Sequence, residues 1–238
     1  MIIKGFDKFS LIDYPGKIAA IVFTAGCNFR CPYCHNPHLV FESSAQPRLS
    51  EKAILSFLEE RRGKIDGIVI SGGEPTLQKN LPLFLEKIKT MGYLTKVDTN
   101  ASNPEKLKTL VNHGLVDSFG IDYKAPKYKY KELSGSEDND IVEKIWKSIT
   151  IALESGKLAE VKTTIHKRLL SFDDLRKIRN ELDELGVRDW ILQQFHKTEM
   201  IDNSLCEEES YTDFELANFA KKMHLTRVRG VKGLFFEI

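Results

Sequence analysis

Directly after its first predicted strand, the chain carries the segment TAGCNFRCPYCHNP, residues 24–37. It contains three of the four cysteines, Cys27, Cys31 and Cys34, in the spacing C-x3-C-x2-C. Thiolates bind soft metals, and iron–sulfur clusters are held mainly by cysteine sulfur. Because three cysteines leave one iron of a four-iron cluster without a protein ligand, a substrate can bind that iron. The segment therefore predicts a reactive metal centre at the end of a strand.

A zinc site is the alternative for the same segment. The three cysteines together with His35 or His38 also match a closed Cys3His zinc site. The spacing, the aromatic Tyr33 before the last cysteine and the position after a first strand favour the cluster. Cys206 has no partner spacing and precedes three glutamates, so we interpret it as a surface residue without a role in the site.

The composition narrows the class of protein. The chain has 238 residues, of which 42% are hydrophobic and 29% charged, as in globular proteins. Its longest unbroken apolar run, Ile18–Phe23, is too short to span a bilayer, and Asp7 interrupts any signal peptide. Lys plus Arg number 35 against 34 for Asp plus Glu, which argues against a nucleic-acid partner. We expect a cytoplasmic protein that binds neither membrane nor nucleic acid.

Short apolar runs alternate with segments of helical spacing along the chain. Six strands are predicted: Lys17–Thr24, Gly67–Ile70, Tyr93–Thr99, Ser118–Tyr123, Glu160–Ile165 and Trp190–Phe195. Alternation of this kind indicates repeated βα units and a parallel sheet, hence an α/β fold. The pattern alone leaves open whether six units form a doubly wound sheet or part of a barrel. In both, the active site lies at the carboxyl ends of the strands.

The predicted helices have recognisable ends. Ser50 and Asn103-Pro104 begin two of them, and Gly92, Gly114, Gly156 and Gly186 follow the ends of four. Asp173 or Asp174 is expected to cap the fifth helix, and Thr212 or Asp213 the sixth.

No linker or repeat divides the sequence, so we predict a single domain over residues 1–238. It would consist of an N-terminal segment 1–16, a barrel core 17–199, and a C-terminal helix and tail 200–238.

The cysteine segment resembles the C-x3-C-x-aromatic-C signature of the radical S-adenosylmethionine superfamily. The resemblance implies a partial (βα)6 barrel with parallel strands. It also implies a 4Fe-4S cluster held by Cys27, Cys31 and Cys34, with one open iron at which S-adenosylmethionine binds. Tyr33 and His35, within the motif, are expected to lie beside that cofactor.

The second predicted strand ends in Ser71-Gly72-Gly73-Glu74. Paired glycines after a strand permit close approach of the backbone, and alone they indicate a turn more often than a site. After the cysteine segment they resemble the GGE element of the same superfamily. That resemblance implies that Gly72, Gly73 and Glu74 hold the methionine amino group of the cofactor.

Residues at the ends of later strands resemble those of glycyl-radical-enzyme activases, of which pyruvate formate-lyase activase is the best-known type. Asp98, Thr99 and Asp122 are expected to line a monovalent cation site beside the cofactor carboxylate. Lys124 and His196 are expected to contact the cofactor.

Two further features belong to these strands. The chain has Asn100-Ala101 where the activases commonly have Asn-Gly, which affects the local turn but leaves the proposed ligands in place. On the fifth predicted strand, the period of two puts Lys162 and Thr164 on one face, a candidate for the barrel lining.

The opening residues GFDKFSLIDYPGK, 5–17, resemble the activating proteins of anaerobic ribonucleoside-triphosphate reductases. Only 37 residues separate Cys34 from Gly72 (72 − 34 − 1), too few for the cysteine-rich insert that holds extra clusters in some activases.

The resemblance implies an enzyme that reductively cleaves S-adenosylmethionine and generates a glycyl radical on a partner enzyme. Ferredoxin or flavodoxin would supply the electron, and no catalytic side chain is expected beyond the cluster and the cofactor. Three alternatives remain open: an activase of the pyruvate formate-lyase type, a radical enzyme acting on a small molecule, and a zinc-stabilised binding module.

Overall fold

The computed structural model of the protein describes residues 1–41, 47–225 and 227–231. Their strands form one sheet in which spatial order follows chain order from β1 to β8. The strands are β1 Ile3–Ser10, β2 Ala19–Thr24, β3 Gly67–Gly72, β4 Leu94–Thr99, β5 Ser118–Asp122, β6 Leu158–Ile165, β7 Trp190–Gln194 and β8 Arg227–Arg229. Every pair from β2 to β8 is parallel, and β1 runs antiparallel to β2.

The six predicted strands are confirmed as β2 to β7, with ends shifted by no more than two residues. Two edge strands were not predicted. β1 lies in the predicted N-terminal segment, where Ile3 pairs with Thr24 and Ser10 with Ala19. Its sequence IKGFDKFS is rich in charge and lacks a clear apolar run, and β8 is only three residues long. Neither segment therefore stands out by its pattern.

Helices follow most of the strands and cover the outside of the sheet. They are α1 Pro37–Val40, α2 Glu51–Glu60, α3 Leu81–Thr90, α4 Pro104–Asn112, α5 Tyr130–Ser134, α6 Ile141–Glu154, α7 Phe172–Glu184 and α8 Asp213–Lys222. In α6 the buried residues Ile141, Ile145, Ile149 and Ala152 recur at helical spacing. That stripe is the face that packs on the sheet.

Most of the predicted helix caps are confirmed. The side chains of Ser50 and Asn103 accept hydrogen bonds from backbone N–H groups of α2 and α4, and Thr212 caps α8. The prediction for α7 was wrong: Ser171 is the cap, and it forms a capping box with Asp174. Asp174 occupies the third helical position, where its carboxylate reaches back to the Ser171 N–H.

The sheet curls, so that side chains of distant strands meet on its inner face. Lys96 of β4 contacts Glu160 of β6, Arg229 of β8 contacts the same carboxylate, and the carbonyl of Asp13 after β1 accepts from Lys96. Within the described residues β1 and β8 are not paired with each other, so the barrel is partial. The predicted α/β fold is confirmed.

Strands β2 and β3 are buried along most of their length, since helices cover one side of the sheet and the interior fills the other. In β2 the run Ala19–Val22 is buried throughout. Such continuous burial is typical of parallel sheets. No helix in the described ranges is long and apolar enough to cross a membrane. Of the predicted C-terminal tail, residues 226 and 232–238 lie outside the described residues.

Candidate active site

One cavity of about 470 Å³ gathers residues from the ends of β2 to β7. This volume is typical of small-molecule and cofactor sites. All the residues predicted as ligands or cofactor contacts line it: Cys27, Cys31, Tyr33, Cys34, His35, Gly72, Gly73, Glu74, Asp98, Thr99, Asp122, Lys124 and His196. The parallel sheet explains the gathering, because strands that run in one direction bring their carboxyl ends to one edge.

Backbone hydrogen bonds hold the cysteine loop after β2. The N–H of Gly26 donates to the carbonyl of Leu39 at 2.7 Å, and the N–H of Arg30 donates to that of Ser134 at 2.7 Å. Gly135 ends α5 in the left-handed region, and a Cβ on it would lie 2.8 Å from the Cβ of Arg30. The end of α5 is thus fitted against the loop, and glycine is needed at that contact.

The loop after β3 packs against the same segment through Gly72 and Gly73. A Cβ on Gly72 would lie 2.3 Å from the Thr24 nitrogen, and one on Gly73 would lie 2.3 Å from the Gly26 oxygen. The N–H groups of Gly73 and Glu74 donate to the carbonyls of Thr24 and Gly26, both at 2.8 Å. Both glycines are therefore required by close backbone contact, and they fix the position from which the cysteine loop departs.

Glu74 joins this loop to the end of β4. Its carboxylate is fully buried and accepts from the Thr76 N–H and hydroxyl, the Thr99 hydroxyl and the Asn100 N–H, at 2.6 to 3.0 Å. Burial raises the pKa of Glu74, and these donors oppose the rise. The carboxylate of the predicted GGE element thus acts as a cross-link between two strand ends.

The surroundings of the three cysteine thiols keep them protonated unless a metal binds. Burial raises the pKa of Cys27 to about 12 and that of Cys31 to about 11, and it also raises the pKa of Cys34. At neutral pH the thiols alone are therefore protonated. A cationic metal centre stabilises thiolates directly, so metal binding would release these protons.

Two buried polar atoms in the cavity lack a partner: Tyr33 Oη and His35 Nε2 form no hydrogen bond. Buried polar groups are nearly always hydrogen-bonded, so both atoms point to a polar ligand. Burial and the nearby His196 and Lys124 lower the pKa of His35, which leaves the imidazole neutral at neutral pH. These atoms and the three thiols fit the implied cluster and cofactor.

No three His, Cys, Asp or Glu side chains of the described residues converge closely enough to hold one metal ion. In a cluster each cysteine ligates its own iron, so the sulfur atoms do not have to converge on one point.

Charged side chains line the interior beneath the strand ends and form a network: Lys96, Asp98, Asp122, Lys124, Glu160, Lys162 and Arg229. We call this set the buried charge network. Burial opposes ionisation of Asp98, but Lys162 and Lys96 outweigh it and hold the pKa below its ordinary value. For Asp122, Lys124 and Lys162 likewise outweigh burial and lower the pKa. Both aspartates are therefore ionised at neutral pH.

The interpretation of the sequence missed part of this network. Lys162 and Thr164 do line the cavity, as their shared face suggested. Lys96, Glu160 and Arg229 were not singled out. Lys96 and Glu160 could have been found from the charged residues at every second position, Lys96 with Asp98 and Glu160 with Lys162. Polar residues in that spacing indicate one polar face of a strand.

Comparison with known proteins agrees with the fold and the family expected from the sequence. A family model described as the radical SAM superfamily matches residues 21–189. Among solved structures, Streptococcus suis SuiB bound to its precursor peptide SuiA has a TM-score of 0.67, at 14% identity, over 90% of this chain. The chain spans about half the length of SuiB, 49%, and at this identity the likeness shows the fold alone. Fold and site thus define a radical S-adenosylmethionine enzyme.

Proteins related in sequence show to which group of radical S-adenosylmethionine enzymes the chain belongs. An inferred glycyl-radical enzyme activating enzyme of Methanocaldococcus jannaschii is 31% identical over 98% of this chain and 98% of its own length. A pyruvate formate-lyase-activating enzyme of Staphylococcus aureus is 36% identical over 45% of this chain and 44% of its own. The chain belongs to the glycyl-radical enzyme activating enzymes of the radical SAM superfamily, as the resemblance implied.

Proposed function

We propose that this activating enzyme generates the glycyl radical of an anaerobic ribonucleoside-triphosphate reductase. When bound, a 4Fe-4S cluster and S-adenosylmethionine supply reductive carbon–sulfur cleavage and removal of a hydrogen atom from glycine. The observation that carries the proposal is the gathering of the three cysteines and the predicted cofactor contacts in one cavity. The choice of reductase rests on the opening residues 5–17.

The chain's own residues would bind and orient the two groups. Cys27, Cys31 and Cys34 would hold the cluster. The backbone at Gly72 and Gly73 would hold the methionine amino group, as the GGE resemblance implies. Lys124, a cation at the cavity wall, would contact the cofactor, and the unpartnered Tyr33 Oη is a donor that such a ligand could satisfy.

An electron donor would approach the cysteine loop from outside. Asn28, Arg30 and His38 are exposed around that loop, so a protein surface can reach it. We propose reduced ferredoxin or flavodoxin as the donor and the cytoplasm as the place of reaction. No acid–base pair is assigned, because hydrogen-atom removal by the cofactor needs none.

A pyruvate formate-lyase type of enzyme is the second candidate partner. It is favoured by the relative of that name, which matches 45% of this chain.

Electron paramagnetic resonance separates the candidates. The protein is reconstituted anaerobically with iron and sulfide, reduced, and mixed with S-adenosylmethionine and either the reductase or the formate-lyase. We expect a glycyl radical signal with the reductase and methionine as a product. A signal with the formate-lyase alone would move the assignment to the second candidate. Methionine without either signal would point to a small-molecule substrate.

The cysteine assignment has a matched control within the chain. Cys27→Ala is expected to lose the cluster absorbance, whereas Cys206→Ala, a substitution outside the cavity, is expected to retain it. Equal cluster content in both variants would contradict the assignment, and retention of metal as zinc would favour the binding module.

A further inference from the structure

The carboxylates of Asp98 and Asp122 are both paired with lysine ammonium groups. Asp98 Oδ1 lies 2.5 Å from Lys96 Nζ, and its Oδ2 lies 3.3 Å from Lys162 Nζ. Asp122 Oδ2 lies 3.1 Å from Lys124 Nζ, and its Oδ1 lies 4.0 Å from Lys162 Nζ. Each of the four oxygens therefore faces a lysine ammonium group.

The third residue expected at a cation site is also engaged. The hydroxyl of Thr99 donates to Glu74 at 2.7 Å and accepts from the N–H of Ala101 at 3.0 Å. A hard cation such as potassium needs several oxygen ligands that are free to face it. The residues present do not fit the monovalent cation that the resemblance implies.

Lys162 occupies the position that such a cation would need. Its ammonium group is the one that contacts both Asp98 and Asp122, and it also lies 4.0 Å from Glu160. The side chain is buried, with 10% of its surface exposed. An ammonium group is a compact point charge that can bridge two carboxylates much as an ion does.

We propose that the Lys162 ammonium group takes the place of the monovalent cation, so that this activating enzyme needs no such ion. Fixed on β6, the charge cannot dissociate when the salt composition changes. The site is expected to stay folded when Lys162 is replaced, because Asp98 still contacts Lys96 and Asp122 still contacts Lys124. A Lys162→Ala variant therefore leaves two carboxylates facing a space from which one positive charge has gone.

The test uses the apoprotein, without S-adenosylmethionine or partner, in a tetramethylammonium buffer. Binding of thallium(I), a potassium analogue, is followed by thallium-205 nuclear magnetic resonance. We expect the wild-type protein to leave the signal unshifted, and Lys162→Ala to shift and broaden it in a way that potassium reverses. Lys162→Arg, which keeps the charge, is expected to behave like the wild type.

Lys89→Ala is the matched control. This substitution removes the ammonium group that lies 2.7 Å from Asp117, a single carboxylate outside the cavity. If this variant perturbs thallium as strongly as Lys162→Ala does, the binding is nonspecific and the inference is wrong. Potassium-reversible binding by the wild type would overturn it directly. An unperturbed signal with Lys162→Ala would overturn it too, because the aspartates would then hold no cation in either form.

A second readout is turnover of the reconstituted enzyme. Cleavage of S-adenosylmethionine by the wild type is expected to be unchanged when tetramethylammonium replaces potassium at constant ionic strength. A loss of turnover would contradict the inference. Since the thallium experiment involves neither cofactor nor partner, its failure leaves the proposed function untouched.

Discussion

Substitution of Gly73 by alanine tests how the two loops of the site support each other. The new Cβ would lie 2.3 Å from the Gly26 oxygen, about 1 Å closer than ordinary van der Waals contact. The Gly26 carbonyl is itself held by the Glu74 N–H at 2.8 Å, so it cannot move away freely. The clash therefore separates the loop after β3 from the cysteine loop.

The magnitude follows from what that separation breaks. A shift of about 1 Å takes two backbone hydrogen bonds beyond bonding distance, at about 1 kcal/mol each. Steric overpacking adds roughly 1 to 3 kcal/mol. We expect Gly73→Ala to lower the free energy of unfolding by about 3 to 5 kcal/mol, and to lower the iron content after reconstitution because the cysteines are displaced.

Urea denaturation of the apoprotein, with iron analysis of the reconstituted protein, measures both effects. Gly63→Ala is the control: its φ of +71° strains alanine, but nothing lies within 4 Å of the new Cβ. Its cost should be only about 1 to 2 kcal/mol, with unchanged iron content. The reasoning is refuted if the two variants unfold at the same urea concentration, or if Gly73→Ala binds iron like the wild type.

Three more predictions test other parts of the structure. Ser171→Ala should destabilise the protein by about 1 kcal/mol through loss of the α7 cap, and Asp173→Ala should destabilise it less. Equal urea midpoints of the two variants would contradict the assignment of Ser171 as the cap. Alkylation of Cys27 in the apoprotein, followed by mass spectrometry, should keep accelerating well above pH 9, because burial raises its pKa to about 12; a plateau by pH 9 would contradict that burial. Burial opposes ionisation of Asp117, but Lys89 and Thr95 outweigh it and hold its pKa below the ordinary value. The stability that Asp117 contributes is thus present above the unfolded-state pKa and is lost as the pH falls through the folded value. Asp117→Asn should therefore reduce the loss of stability measured by urea titration below about pH 4. An unchanged loss in this variant would show that Asp117 does not cause it.

The strands and the gathering of the site could be predicted from the sequence because each rests on local pattern plus a rule of topology. Apolar runs such as Ala19–Val22 stand out, and parallel order then brings their ends together. The segment 24–37 marks the strand end at which the sequence predicts a metal cluster. The edge strands and the Ser171 cap lacked such signals: β1 is held by pairing with β2 and carries a charged sequence. For the α7 cap, Asp173 and Asp174 matched the cap preference as well as Ser171 does. Only the backbone geometry shows which of the three residues begins the helix.

The interior charges could not be predicted for a different reason. Whether Lys96 faces water or the interior depends on how far the sheet curls, which a period of two does not determine. A buried lysine is costly unless it is paired, and two of the partners of Lys96, the Asp13 carbonyl and Glu160, lie far from it in sequence. The resemblance pointed to Asp98 and Asp122 as ion ligands, but no local pattern indicated that Lys162 would lie between them.

The unpredicted strand β1 also supports the site from the opposite end of the barrel. Since β1 runs antiparallel, the residues that follow it lie near the beginning of β2, where Ser10 pairs with Ala19. The carbonyl of Asp13 there accepts a hydrogen bond from Lys96 at 2.8 Å, and Lys96 in turn holds Asp98. A chain of contacts therefore runs from the N-terminal segment to the carboxylate near the cofactor region. The N-terminal segment, whose residues 5–17 resemble those of activating proteins, is thus bonded to the buried charge network, which gives it a structural role independent of any partner.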